Sequence, residues 1–422
     1  MKKRMSMKVA GWISLFMIVL ITVLAFQGLI GFSESGPDWT LLNDSYFHNI
    51  LAFSLKQALL SALLSVVLAW PIARALYYLP HVPALNSFLS LCLLCFVMPT
   101  LVLITGLVVL AGQVEWHLYG LNGILLAHIY LNMPFAIRVF YQQLKGIPDS
   151  SWKLSAQLKL NHWQRLRIIE WPSLKSCALM LLGFIFVLCF NSFAIVLALG
   201  GGPQSTTLEV AIYQALKYDF NIPEALMLAW VQLLIAGGLF LMVSRLGSAN
   251  WLSVDTASDE WRPQVKGWRY WLMKSSYYLA WLVLLLPILA LLFGLIQGDL
   301  SRISLASLIR PTLITMSLGL FSAVIGMALA YAMLNPIRQM NSLGQTRRRV
   351  FFEWLATHAL VAPAMVVSVG LFIFLLQRIN IDSWGIVFVA LLNTSIVVPF
   401  AVQKLKPRLY QFDAQYGDLS RS

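Results

Sequence analysis

Apolar stretches of roughly 20 residues, each closed by a cluster of polar or basic positions, recur along the chain about ten times, and each is long enough to cross a bilayer core as a helix. They run from Gly11 to Ile30, Phe53 to Leu76, Phe88 to Ala111, Gly123 to Tyr141, Leu174 to Leu199, Ala225 to Ser244, Ser275 to Gln297, Pro311 to Leu334, Leu355 to Leu376 and Gly385 to Val402. A transmembrane β-barrel needs shorter strands with strict in–out alternation, which these runs lack. The predicted fold class is therefore all-α, a polytopic transmembrane helical bundle. Lys2, Lys3, Arg4 and Lys8 precede the first run without an obvious small-residue cleavage site after it, so it reads as an uncleaved first helix.

The pattern repeats itself. Met98-Pro99-Thr100-Leu101-Val102 leads to Gly106-Leu107, and Ala362-Pro363-Ala364-Met365-Val366 leads to Gly370-Leu371 at the same spacing. Downstream, Met133-Pro134-Phe135-Ala136 has its partner in Val398-Pro399-Phe400-Ala401. Three segments follow: residues 1–244, a first half of six spans with a polar loop at 144–172; residues 245–274, a linker carrying Asp255, Asp259, Glu260 and Pro263; and residues 275–422, a second half of four spans. By the chain's own symmetry the second half is expected to lack the end of the corresponding loop and two spans, the pattern of a C-terminally truncated copy. Tandem duplication in a membrane protein points to a pathway at the interface of the repeats.

Hydrophobic residues make up 59% of the chain against 11% charged, which excludes a water-soluble surface. The net charge of +13 is not gathered on one module, so no nucleic-acid partner is expected. With the N-terminus in the cytoplasm the basic residues fall in cytoplasmic loops, leaving only Lys56, Lys217, Arg302, Arg310 and Arg378 at or near the other face. The lipid bilayer is then the main neighbour. The pair Cys92 and Cys95, inside an apolar run, is read as helix packing rather than a redox or zinc motif. No catalytic or metal-binding constellation is apparent and no cofactor is expected. No Asp or Glu lies in the centre of a predicted span, which counts against a proton- or sodium-coupled transporter.

Three places carry candidate function. In the loop 144–172, Asp149, Ser150 and Ser151 look like a helix start, and Trp152, Leu154, Leu158, Trp163, Leu166 and Ile169 give two short segments apolar faces. A turn is predicted at Lys159-Leu160-Asn161, with Asn161 as the left-handed residue. Such a hairpin is either an interfacial anchor or a docking knob for a soluble partner. After the fifth run, Gly200-Gly201-Gly202-Pro203 breaks the helix, and an amphipathic segment from Thr206 to Tyr218, including Tyr213, is expected along the outer surface. His128 and Asn132 share one face of the fourth run, and Asn191 interrupts the fifth; all three are possible pathway residues.

The loop resembles the coupling-helix signature of ABC-importer permeases, E-A-A-x3-G-x9-I-x-L-P. Ile169, Glu170, Trp171 and Pro172 fit its end, and Leu154, Ser155 and Ala156 lie near its start. Lys153 stands where that family has Glu, and Lys159 where it has Gly. The passage from Leu197 to Leu216, together with Leu125-Ala127-His128 and Asn132-Met133-Pro134, is similar to the thiamine permeases of this superfamily and less closely to its ferric-ion permeases. The resemblance implies a bacterial inner-membrane subunit that carries thiamine or its phosphate esters inward. It further implies a periplasmic binding protein as donor and a separate ATPase dimer gripping the loop at Lys153, Ser155, Ala156, Lys159, Trp163, Ile169 and Pro172. No GxxxxGK[ST] loop occurs in this chain, so ATP chemistry falls to another subunit. The competing expectations are an importer of ferric ion or another small solute, and a truncated remnant that no longer transports.

Overall fold

A computed structural model describes residues 2–33, 36–245, 262–297, 304–376, 378 and 380–416. The linker acids Asp255, Asp259 and Glu260, and Arg302, lie outside the described residues. Among the described residues the regular structure is helical, as an apolar solvent demands of a chain that must pair every backbone N–H and C=O within itself. Eight helices among the described residues are long and apolar enough to span a membrane, rising to ten if two sharply bent pairs each count as a span.

The principal helices are α1 (Lys2–Phe32), α2 (Ser45–Tyr78), α3 (Leu85–Val97), α4 (Thr100–Gln113), α5 (Leu121–Lys145), α6 (Asp149–Gln157), α7 (His162–Arg165) and α8 (Trp171–Phe190). They continue with α9 (Ala194–Leu199), α10 (Leu208–Lys217), α11 (Ile222–Arg245), α12 (Trp268–Gln297), α13 (Leu305–Ser342), α14 (Thr346–Thr357), α15 (Ala364–Leu376) and α16 (Ile381–Tyr416).

The bent pairs are α3 with α4, at 103°, and α14, with the short turn after it, with α15, at 80°. The third and ninth apolar runs, read as single spans, thus each fold back at the proline that the repeats share. Pro99 and Pro363 carry no N–H to continue the preceding helix, and their rings exclude the helical path behind them. The fifth run also divides: α8 stops at Asn191, and α9 resumes after Phe193.

Two compact units form, one from Met1–Leu51, Thr207–Arg245 and Asp299–Ser422, the other from Ala52–Thr206 and Leu246–Gly298. This grouping differs from a cut at the linker, because the first helix of each half packs with the other half's helices. In the first unit α1 lies on α13 and α15, and in the second α12 lies on α4. Close backbone approach makes both contacts. A Cβ on Gly370 would fall on the Ala25 carbonyl oxygen, and one on Gly28 on the Gly370 carbonyl oxygen. At the repeat-related position, a Cβ on Gly106 would sit 2.6 Å from the Pro287 carbonyl oxygen. Small residues at helix crossings are how membrane helices gain contact area where lipid offers no hydrophobic drive. Leu15, Ile18, Met333, Leu334, Ile337, Val398 and Val402 fill the core of the first unit around α1, α13 and α16.

Candidate functional site

The loop between α5 and α8 builds from two anchors upward. Asp149 starts α6 without a side-chain cap, behind Pro148. Trp152, one turn on, is wholly buried, its ring centre 5.6 Å from that of Tyr77 and 5.9 Å from that of Tyr78 at the end of α2. Ser155 is buried beside it and donates to the Trp152 carbonyl at 2.6 Å.

The helix then closes as a Schellman turn, with the Leu160 amide donating to the Ser155 carbonyl and the Lys159 amide to that of Ala156, both at 3.0 Å. The left-handed residue is Lys159, at φ 52°. That corrects the expectation for Asn161, which is extended at φ −73° and caps α7 reciprocally with Gln164. A side chain in this region costs about 1 kcal/mol, which is why glycine suits the position. The second segment is no separate hairpin arm: α7 passes through a π turn, Leu166–Glu170, straight into α8.

The second anchor is Glu170, completely buried in that π turn. Arg74 of α2 donates through Nε to its Oε2 at 2.7 Å and through Nη2 to its Oε1 at 3.1 Å; the Tyr78 hydroxyl donates to Oε1 at 2.7 Å. His162 Nε2 lies 3.2 Å from Arg74 Nη2. With one side held, the other faces outward: Leu154, Leu158, Trp163, Ile168 and Trp171 are more than half exposed, and Lys153, Lys159, Arg167 and Pro172 are exposed among them. Ala156 and Ile169 are half-buried at the margin.

The glycine-rich passage also breaks its helix as expected. Gly201 at φ 73° and Gly202 at φ 132° turn the chain into a short 3-10 segment, Pro203–Ser205, while Gly200 is buried. The segment after it is less superficial than its pattern implied: on α10, Leu208, Glu209, Val210, Ala211, Ile212 and Ala215 are all buried. Tyr213 is half-buried, and Lys217, donating to its hydroxyl at 2.7 Å, holds the phenol below its usual range.

Glu209 is the residue the sequence pattern concealed. Its Oε1 accepts from the Met365 amide at 2.8 Å, at the start of α15, and its Oε2 from Gln232 of α11 at 2.7 Å. The first amides of a helix have no partner within it, and this carboxyl supplies one at the positive end of the helix dipole. Burial nonetheless pushes its pKa up to about 7 against the pull of these donors. A raised carboxyl stabilises the fold fully below the ordinary value of 4.5 and loses that contribution as pH rises through the folded value. The thermal stability of the wild type should therefore fall relative to Glu209→Gln between pH 4.5 and 7 in a detergent melting series. A difference that stays constant across that range would show that Glu209 does not titrate there.

His128 is buried, with Nδ1 3.0 Å from the Ser61 hydroxyl; Asn132 donates to the His128 carbonyl at 2.8 Å and lies 3.5 Å from Cys189 Sγ. Gln57 donates to the Cys189 carbonyl at 2.9 Å, so the two predicted residues join a continuous polar row. Asn191 ends α8 and is half-buried. Cys92 and Cys95 are free buried thiols on α3.

Residues 65–246, which contain both the anchored loop and the glycine-rich passage, match the family of binding-protein-dependent transport system inner membrane components. The chain is 33% identical to the thiamine transport system permease protein of Haemophilus influenzae, over 90% of this chain and 73% of that protein. Against the protein of the same name from Escherichia coli it is 33% identical, over 96% of this chain and 78% of the relative. The chain belongs to the thiamine transport permease family. A Brucella abortus relative of the same name is 32% identical over 86% of this chain and 69% of its own length. Members of this family are inner membrane components of a transport system, transport subunits and not catalysts.

Proposed function

We propose that this chain is the translocation subunit of an ABC importer that brings thiamine into the cytoplasm. The N-terminus and the loop 144–172 face the cytosol, following the distribution of Lys and Arg. The observation that carries the reading is the loop itself: Trp152 and Glu170 fasten it to α2, while Leu154, Leu158, Trp163, Ile168 and Trp171, interspersed with Lys153, Lys159 and Arg167, stay outward. An apolar, basic-rimmed knob on a short helix anchored beside the start of α8 fits a soluble partner better than lipid, since it projects from a bundle that already has its own membrane face. The partner is a separate ATPase dimer, whose nucleotide-driven closure moves the knob and rocks the helices between two states. A binding protein delivers substrate near residues 200–218 on the opposite face. The buried polar row of Gln57, Ser61, His128 and Asn132, with Asn191 at the α8 break, lines the route taken by the substrate within its unit.

The test is reconstitution of the full chain with its ATPase and a thiamine-binding protein in proteoliposomes. ATP-dependent accumulation of thiamine, absent without the binding protein and not reproduced by ferric ion, is expected. No accumulation from a fully assembled complex would overturn the reading, as would a cysteine at Gln157 labelled only from the binding-protein side.

A further inference from the structure

Arg74 and Arg338 occupy equivalent places in the two repeats: Arg338 stands as far beyond Arg74 as Pro363 beyond Pro99 and Gly370 beyond Gly106. Each sits near the end of a long helix that carries a proline just ahead of it, Pro71 in α2 and Pro336 in α13. Each also grips a carboxylate with two guanidinium nitrogens. Arg74 holds Glu170 through Nε and Nη2, and Arg338 holds Asp413 through Nε at 2.7 Å and through Nη2. The acids are not repeat equivalents, since Glu170 closes its loop in a π turn whereas Asp413 is near the end of α16. They share a position in the topology: both follow the fourth apolar run of their half. A two-nitrogen arginine–carboxylate grip thus occurs twice, at repeat-equivalent arginines and with different acids, buried in one unit and partly exposed in the other.

Stability does not account for the first clamp. A buried ion pair is often no better than a well-packed apolar pair of similar volume, because desolvating both charges offsets their attraction. What the fork supplies is direction: two parallel N–H donors fix the plane and the distance of the carboxylate, which one apolar contact or a single point charge leaves free. Arg74 lies about one turn before the end of α2, so any displacement of the π turn is delivered to that helix without slack.

We infer that the Arg74–Glu170 clamp is the positioning contact that converts movement of the loop into movement of α2, and that Arg338–Asp413 does the same for α13 from the end of α16. The inference rests on the loop being the element an ATPase drives. In this scheme Glu170 and Arg74 touch neither substrate nor nucleotide. Their loss leaves the partner bound and hydrolysing while the helices no longer follow.

The experiment measures thiamine transported per ATP hydrolysed in the reconstituted complex, with ATPase co-purification as the assembly control. Wild type comes first: if it fails to transport, the reading of the protein fails and the clamp is not at issue. Arg74→Lys keeps the charge and loses the fork, Glu170→Gln keeps the shape and loses the charge, and Arg74→Met with Glu170→Met keeps an apolar-packed joint. With the ATPase still bound, all three are expected to lower transport per ATP about ten-fold while hydrolysis changes little. A merely structural role predicts that the apolar pair transports like wild type, and that result would overturn the inference. Should the α2 variants fail to insert, Arg338→Lys and Asp413→Asn test the second clamp, whose acid is partly exposed; an unchanged ratio there overturns the inference equally.

Discussion

Truncating Trp152 to alanine is expected to release α6 from the end of α2 and to cost about 4 kcal/mol, the range measured for emptying a fully buried aromatic site. Trp152 is wholly buried against Tyr77 and Tyr78, while its neighbours on α6, Lys153 and Leu154, face outward. The segment is only nine residues long, from Asp149 to Gln157, too short to hold helical geometry alone. Its structure therefore depends on that ring. Without it, residues 149–157 should become the first site of limited proteolysis in the detergent-solubilised protein, and co-purification of an ATPase should fall with it. Trp152→Phe, which keeps an aromatic ring against Tyr77 and Tyr78, should retain both. If the alanine variant resists protease as the wild type does and still binds the ATPase, the anchoring role assigned to this ring is wrong.

Gly370→Ile is expected to push α1 off α15 at a cost of about 3 kcal/mol, at the upper end of overpacking penalties, because the obstacle is backbone and not a movable side chain. Even alanine places its Cβ on the Ala25 carbonyl oxygen, and the reciprocal Gly28 has no room either, since its own Cβ would meet the Gly370 carbonyl. A graded loss of melting temperature in detergent, glycine above alanine above isoleucine, follows directly. Gly319 and Gly238, which have nothing within reach of a Cβ, serve as controls and should accept alanine freely. Equal stability of all three residues at position 370 would mean that the helices do not cross this closely.

The internal repeat links these sites. The proline breaks, the crossing glycines and the clamping arginines recur in the same order in both halves, so each marks a feature both copies need geometrically. Arg74 and Arg338 were visible as charges near the ends of apolar runs, where basic residues are ordinary topology signals. Only the bidentate carboxylate opposite each distinguishes them. Glu170 was visible as a position within a loop signature and Glu209 as one polar residue on an amphipathic segment; nothing local in either reveals complete burial.

The sequence by itself determined what depends on local chemistry. Ten long apolar runs dictate helices, because a chain in lipid must satisfy its own backbone; Gly-Gly-Gly-Pro dictates a break; and the order of Pro99, Gly106 and Pro134 against Pro363, Gly370 and Pro399 declares the duplication. The tertiary structure alone decided that the third and ninth runs fold back at their prolines, that Lys159 rather than Asn161 takes the left-handed turn, and that α1 and α12 each pack with the other half. It also decided which carboxylates are buried and which guanidinium or amide each one meets. These outcomes depend on partners far away in the chain, and apolar periodicity records that a face will be covered without recording by what.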